Sequence, residues 1–164
     1  MIFRIFAFPF ALLILTACGF QPMYGENRAN TQFNDIKIPP IADRSGQNLR
    51  NELIDRLHNG DRSNSGRYSL KVSPFTETRE DFDIRDTSDA TRTQLRLRTN
   101  MRLIDGQNNK VVLNRSLEAF GSYNILDSQF TTRVSRENAR DNAIIDIARQ
   151  IERQLALYFN QQEK

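Results

Sequence analysis

Four arginines recur at even positions in the segment Thr91–Asp105: Arg92, Arg96, Arg98 and Arg102. Leu95, Leu97, Met101 and Leu103 hold odd positions between and beyond them. Side chains of a strand alternate between faces and repeat along one face about every 7 Å, so this spacing predicts a strand with an apolar side and a cationic stripe. Guanidinium groups in a row suit the recognition of phosphate or carboxylate, which they grip through two parallel hydrogen bonds. The other reading is a solvated face with cross-strand ion pairs. Ahead of the stripe, the stretch 77–89 carries Glu77, Glu80, Asp81, Asp83, Asp86 and Asp89 against only Arg79 and Arg85. It reads as a flexible, solvated acidic loop, able to fold back on the stripe or to bind divalent cations weakly. Groups for catalysis are sparse. The only histidine, His58, falls at the end of a helical pattern just before Asn59 and Gly60, where an imidazole favours the negative helix end. No nucleophile motif, metal-spaced ligand set or glycine-rich phosphate loop accompanies it, so the chain reads as a non-enzyme without a cofactor.

Those residues must be held by a fold, and the pattern supplies one. Phe33–Ile38 alternates before Pro39 and Pro40 and reads as a first strand. Leu49, Leu53, Ile54 and Leu57 then follow helical spacing, with Asp43 or Ser45 as the cap. Tyr68, Leu70 and Val72 form a second strand, and Thr91–Asp105 a third. The turn-rich run 105–110 leads into a fourth strand from Val111 to Tyr123. Keeping the leucines of both hairpin strands on one side requires odd residues to face odd ones, which places Glu118 opposite Arg96 or Arg98. From Ser135, a stripe running through Ala139, Ala143, Ile144, Ile147, Ala148, Ile151, Leu155, Tyr158 and Phe159 predicts a long final helix. This order predicts an α+β two-layer sandwich, two helices packed on one face of a mostly antiparallel four-stranded sheet.

The amino terminus adds a location. Arg4 precedes an apolar run of about 11 residues interrupted by Pro9, where a membrane-spanning helix needs roughly 20. The run ends in Leu15-Thr16-Ala17-Cys18, which resembles the lipobox of bacterial lipoprotein precursors, cut just before a cysteine that becomes the lipidated terminus. Cys18 is the only cysteine, so the exported chain has no disulfide and relies on apolar packing. The reading divides the chain into a signal peptide (1–17), a lipidated terminus and linker (18–32) and a single domain (33–164). Two or more acyl chains give stable anchoring without a span. Gly19, rather than aspartate, resembles the sorting signal for the outer membrane. Removing Arg4 leaves 22 basic residues against 20 acidic ones, a net charge of +2 that does not call for nucleic acid.

The octet Cys18-Gly19-Phe20-Gln21-Pro22-Met23-Tyr24-Gly25 resembles the mature start of the LptE family of lipopolysaccharide-assembly lipoproteins in its alphaproteobacterial form, with Met23 where leucine is common. The order of elements is similar through the rest of the chain. The resemblance implies an outer-membrane lipoprotein, anchored at the periplasmic face. It would plug and support the assembly of the LptD β-barrel and help deliver lipopolysaccharide to the outer leaflet. On this reading Arg92, Arg96, Arg98 and Arg102 are candidates for contacts to lipopolysaccharide or to the barrel lumen. The alternative is a lipoprotein subunit of a phospholipid-trafficking ABC-type envelope system.

Overall fold

The computed structural model describes residues 33–58, 66–84 and 90–162, so Cys18, the lipobox and the opening octet lie outside the described residues. The elements run β1 (Ile36–Lys37), α1 (Asp43–His58), β2 (Tyr68–Val72), β3 (Thr76–Ile84), β4 (Ala90–Asp105), β5 (Lys110–Asn124) and α2 (Gln129–Gln162). Two helices and a mixed five-stranded sheet make an α+β layout, with one strand more than the side-chain pattern predicts. All pairings are antiparallel except the short parallel contact of β1 with β2.

β4 organises the sheet. Along one edge it pairs with β5 for most of its length, in a register that matches odd with odd from Thr93–Tyr123 to Leu103–Leu113. A bulge after Leu103 then shifts the pairing to Ile104–Val111 and Asp105–Lys110. Asp105 ties the turn by accepting the Gln107 N–H at 2.9 Å and binding the Arg67 guanidinium at 2.8 Å, and the latter holds its carboxyl below the usual range. Along the other edge β4 pairs with β2 at one end and with β3 at the other, so β2 and β3 form a single broken line. Pro74, which has no N–H to give to a ladder, sits at the break.

The acidic segment is therefore largely not a loop. Thr76–Ile84 is a strand, its backbone recruited by the free edge of β4, while Asp86 and Asp89 lie outside the described residues. Glu77 is bound from α2 by Arg140 through two hydrogen bonds of 2.7 and 3.2 Å. These hold its carboxyl below the ordinary carboxylate range against the opposing effect of burial. Among the described residues no group of three or more acidic, histidine or cysteine side chains converges as a metal site.

One face of the sheet is the core. Leu70, Leu95, Leu97, Met101 and Leu103 are fully buried, together with Leu49, Leu53 and Leu57 of α1 and Ile147, Ile151 and Leu155 of α2. α1 begins at Asp43, whose carboxylate accepts the Gly46 N–H at 2.8 Å, so Asp43 rather than Ser45 is the cap. α2 starts six residues before Ser135, because Ser128 receives the N–H of Thr132 on its carbonyl and that of Thr131 on its hydroxyl. α2 approaches β5 closely at Gly121, where a Cβ would lie 2.4 Å from the Ala139 carbonyl oxygen. At the other end of α2, Phe33, Tyr68, Tyr158 and Phe159 pack edge to face. His58 belongs to this end and does not cap its helix outward. It is buried, with Nε2 donating to the Phe33 carbonyl at 3.0 Å. A 34-residue helix is about 50 Å long, so the entry of the described chain at Phe33 and the start of α2 lie at opposite ends of the domain.

Candidate anion-binding sheet face

The opposite face of the sheet carries no helix among the described residues, and register fixes what it displays. Rows run across it as Phe82–Arg92–Asn124, Glu80–Gln94–Ser122, Thr78–Arg96–Phe120, Thr76–Arg98–Glu118 and Lys71–Arg102–Asn114. Lys37 lies at the margin, paired through β1 with Ser69. All four arginines of the predicted stripe are on this face, as the alternation requires, while Leu95, Leu97, Met101 and Leu103 are on the other.

The stripe is not uniform. Arg98 is paired with Glu118 through contacts of 3.1 and 3.2 Å, which decides between the two positions that parity allowed for that acid. Both side chains are about half exposed, so the pair contributes only a few tenths of a kcal/mol. Arg96 lies 5.0 Å from the centre of the Phe120 ring and 3.9 Å from Glu80, with its Nε buried and without a hydrogen-bond partner. Aromatic faces attract cations, so Phe120 helps hold this guanidinium in place. Arg92 and Arg102 are exposed and have no carboxylate partner among the described residues.

Three participants were not evident from the sequence reading. Phe120, exposed and even-numbered in β5, stands out of phase with Leu117 and Ala119, and that was the available signal. Glu80 comes to the face only because β3 is a strand. Lys71 alternates with Tyr68, Leu70 and Val72 and therefore points away from the core, but only the pairing of β2 with β4 brings it beside Arg102.

Chemically, the face offers donors and positive charge on a firm sheet, with aromatic rings at the end near Phe82 and Phe120. That arrangement is chemically suited to anions. No hydrogen bond among the described residues joins a hydroxyl of this face to a basic side chain.

No curated protein matches the chain. Among solved structures, a lipoprotein from Caulobacter crescentus CB15 is 22% identical, with a TM-score of 0.64 over 79% of this chain and 94% of that one. A minor lipoprotein from Acinetobacter baumannii is 26% identical, with a TM-score of 0.55 over 74% and 88%. Rare lipoprotein B from Shewanella oneidensis, at 15% identity and a TM-score of 0.59 over 79% and 98%, shares the fold. The model of the LptE family, described as lipopolysaccharide-assembly, matches residues 33–155, which include every strand, α1 and most of α2, and the chain belongs to that family.

Proposed function

We propose that the chain is an outer-membrane lipoprotein, anchored through Cys18 at the periplasmic face, that occupies the lumen of an LptD-type β-barrel. There it supports assembly of the barrel and helps deliver lipopolysaccharide to the outer leaflet. The observation that carries this reading is the uncovered sheet face, where Lys37, Lys71, Arg92, Arg96, Arg98 and Arg102 outnumber Glu80 and Glu118, in a member of a lipopolysaccharide-assembly family. The interior of a membrane barrel is polar and wet, so a charged sheet face is at home there and would be costly against hydrocarbon. Phosphates of lipopolysaccharide are natural partners for the same guanidinium groups. No helix among the described residues is long and apolar enough to cross a membrane. In this reading attachment is through acyl chains on Cys18. Anchoring confines the domain near its barrel and raises its effective concentration without further contacts. The role is non-catalytic. A phospholipid-trafficking subunit would instead need an apolar cavity for acyl chains.

The test is capture from detergent-solubilised outer membranes of tagged wild-type protein and of Cys18→Ala, with mass spectrometry of what co-purifies. The reading predicts a large β-barrel at near-equal stoichiometry with the wild type and a marked loss with Cys18→Ala. Recovery of inner-membrane transporter subunits alone, or of no partner, contradicts it.

A further inference from the structure

The sheet has two long outer edges, and they are finished differently. On β5 the edge is covered by α2: Gln150 donates to the Glu118 carbonyl at 2.9 Å, and Gly121 approaches the Ala139 carbonyl so closely that a Cβ would not fit. β3 has the other edge. Ser73 N–H donates to the Asn100 carbonyl, so the even residues of β4 direct their backbone groups toward β2 and β3, and their partners Thr76, Thr78, Glu80 and Phe82 complete that ladder. Glu77, Arg79 and Asp81 therefore turn N–H and C=O outward, and no group among the described residues bonds them there.

Edge strands are ordinarily blunted by brevity, proline, lysine or a bulge. β3 runs nine residues, contains neither proline nor lysine, and keeps one unbroken register with β4 from Thr76–Arg98 to Phe82–Arg92. Its charges are the remaining deterrent, and the fold already engages them. Arg140 binds Glu77, Arg79 lies 3.5 Å from Glu77, the Thr93 hydroxyl donates to Asp81, and Arg96 lies 3.9 Å from Glu80.

What those charges still do is select a register. A second copy that pairs antiparallel at this edge matches odd residues with odd ones, because the odd residues carry the free backbone groups. It also places one residue of β3 opposite itself on a two-fold axis. An axis at Glu77, Arg79, Glu80 or Asp81 sets that charge directly against its own copy, which opposes pairing. An axis at Thr78 does not: Glu77 then faces Arg79 on both sides of the axis, threonine faces threonine, and Thr76 faces Glu80.

We propose that two copies of this chain pair antiparallel along β3 about a two-fold axis at Thr78, joining their five-stranded sheets into one. Glu77 and Arg79 of the two copies exchange both N–H···O bonds, and their side chains alternate in charge across the seam. An edge contact of this size is weak in solution, and anchoring of both copies on one leaflet supplies the effective concentration it needs. The inference goes beyond the proposed role and meets it at one point. Antiparallel pairing puts the two Phe33 entries at opposite ends of the pair, so the pair is a state of the lipoprotein outside a barrel.

The experiment uses the full lipoprotein in its own membranes and compares wild type, Thr78→Cys, Glu80→Cys and Thr78→Cys/Arg79→Glu on non-reducing gels. A disulfide needs Cβ atoms about 4 Å apart, a separation that only directly facing side chains approach. Thr78→Cys is expected to give a species of twice the chain's mass, well above wild type and at least about fivefold more abundant than from Glu80→Cys. Adding Arg79→Glu sets glutamate against glutamate and lowers the yield about tenfold, while thermal melting stays as in wild type because Arg79 is half exposed. Equal yields from Thr78→Cys and Glu80→Cys, a yield that Arg79→Glu leaves unchanged, or linkage of Thr78→Cys to a different protein in place of itself overturns the pairing. Recovery of the barrel with wild type from the same membranes reports separately on the plug reading, and its failure leaves the cross-linking result standing.

Discussion

The two ends of β4 make an instructive contrast. Toward Asp105 it pairs with β2, whose Tyr68 and Leu70 enter the core beside Leu103 and Met101. Toward Ala90 it pairs with β3, whose Glu77, Arg79 and Asp81 share the helix-covered side with Leu97, Leu95 and Thr93. The two lengths belong to one line of chain, but from Val72–Met101 to Thr76–Arg98 that line advances four residues while β4 advances three. One extra residue at the proline break exchanges the faces. The β2 end is held by apolar burial. The β3 end is held by ladder hydrogen bonds, the Arg140–Glu77 pair and the hydrogen bond from Thr93 Oγ1 to Asp81 at 2.7 Å.

If that division is right, the largest effects fall at the β2 end. Leu70→Ala or Leu103→Ala, each emptying a fully buried site, should cost about 3 kcal/mol in denaturant unfolding, while Phe82→Ala at the exposed end of β3 should cost less than about 0.5 kcal/mol. Equal costs would erase the contrast. Gly121→Ala comes next, because the added methyl meets the backbone carbonyl of Ala139 and must push α2 from β5; about 2 kcal/mol is expected by the same assay. Smaller again is Arg140→Gln, at about 1 kcal/mol near neutral pH for a partly buried charged pair. Its sign with pH follows from Glu77. A carboxyl lowered by its partner contributes stability that is present in full above the unfolded pKa of about 4.3 and is lost as pH falls through the lower folded value. The stabilities of wild type and Arg140→Gln should therefore converge as pH drops below about 4. A gap that persists at pH 2 would place the role of Arg140 elsewhere. Hydrogen exchange should divide likewise, with β3 amides opening before those of β2.

The sequence made β4 legible because leucine and arginine alternate there without error, and the same parity paired it correctly with β5 up to Leu103. It fell short where side chains do not report the backbone. β3 has charge on both faces, Glu77, Arg79 and Asp81 on one and Glu80 on the other, so no period marks it, and its strand character comes from the free edge of β4. The first strand shrinks to Ile36–Lys37 because the turn at Asn34–Asp35 consumes its start. The early start of α2 was written in Ser128, but the apolar stripe begins only at Ala139 and drew the boundary toward Ser135. At the candidate site the arginines were readable, and so was Glu118 opposite Arg96 or Arg98; the choice of Arg98, and the hold of Glu80 and Phe120 on Arg96, were not, since they depend on strand register and on β3 being a strand.

The central claim is that the uncovered sheet face, and not the helical face, meets lipopolysaccharide. Photo-crosslinking residues placed in cells at Asn100, Ser116 and Ser122 on the open face, and at Asn142 and Arg149 on the exposed side of α2, test it most directly. The account predicts lipopolysaccharide adducts from the three sheet positions and none from the helix. Adducts confined to the α2 positions would contradict it.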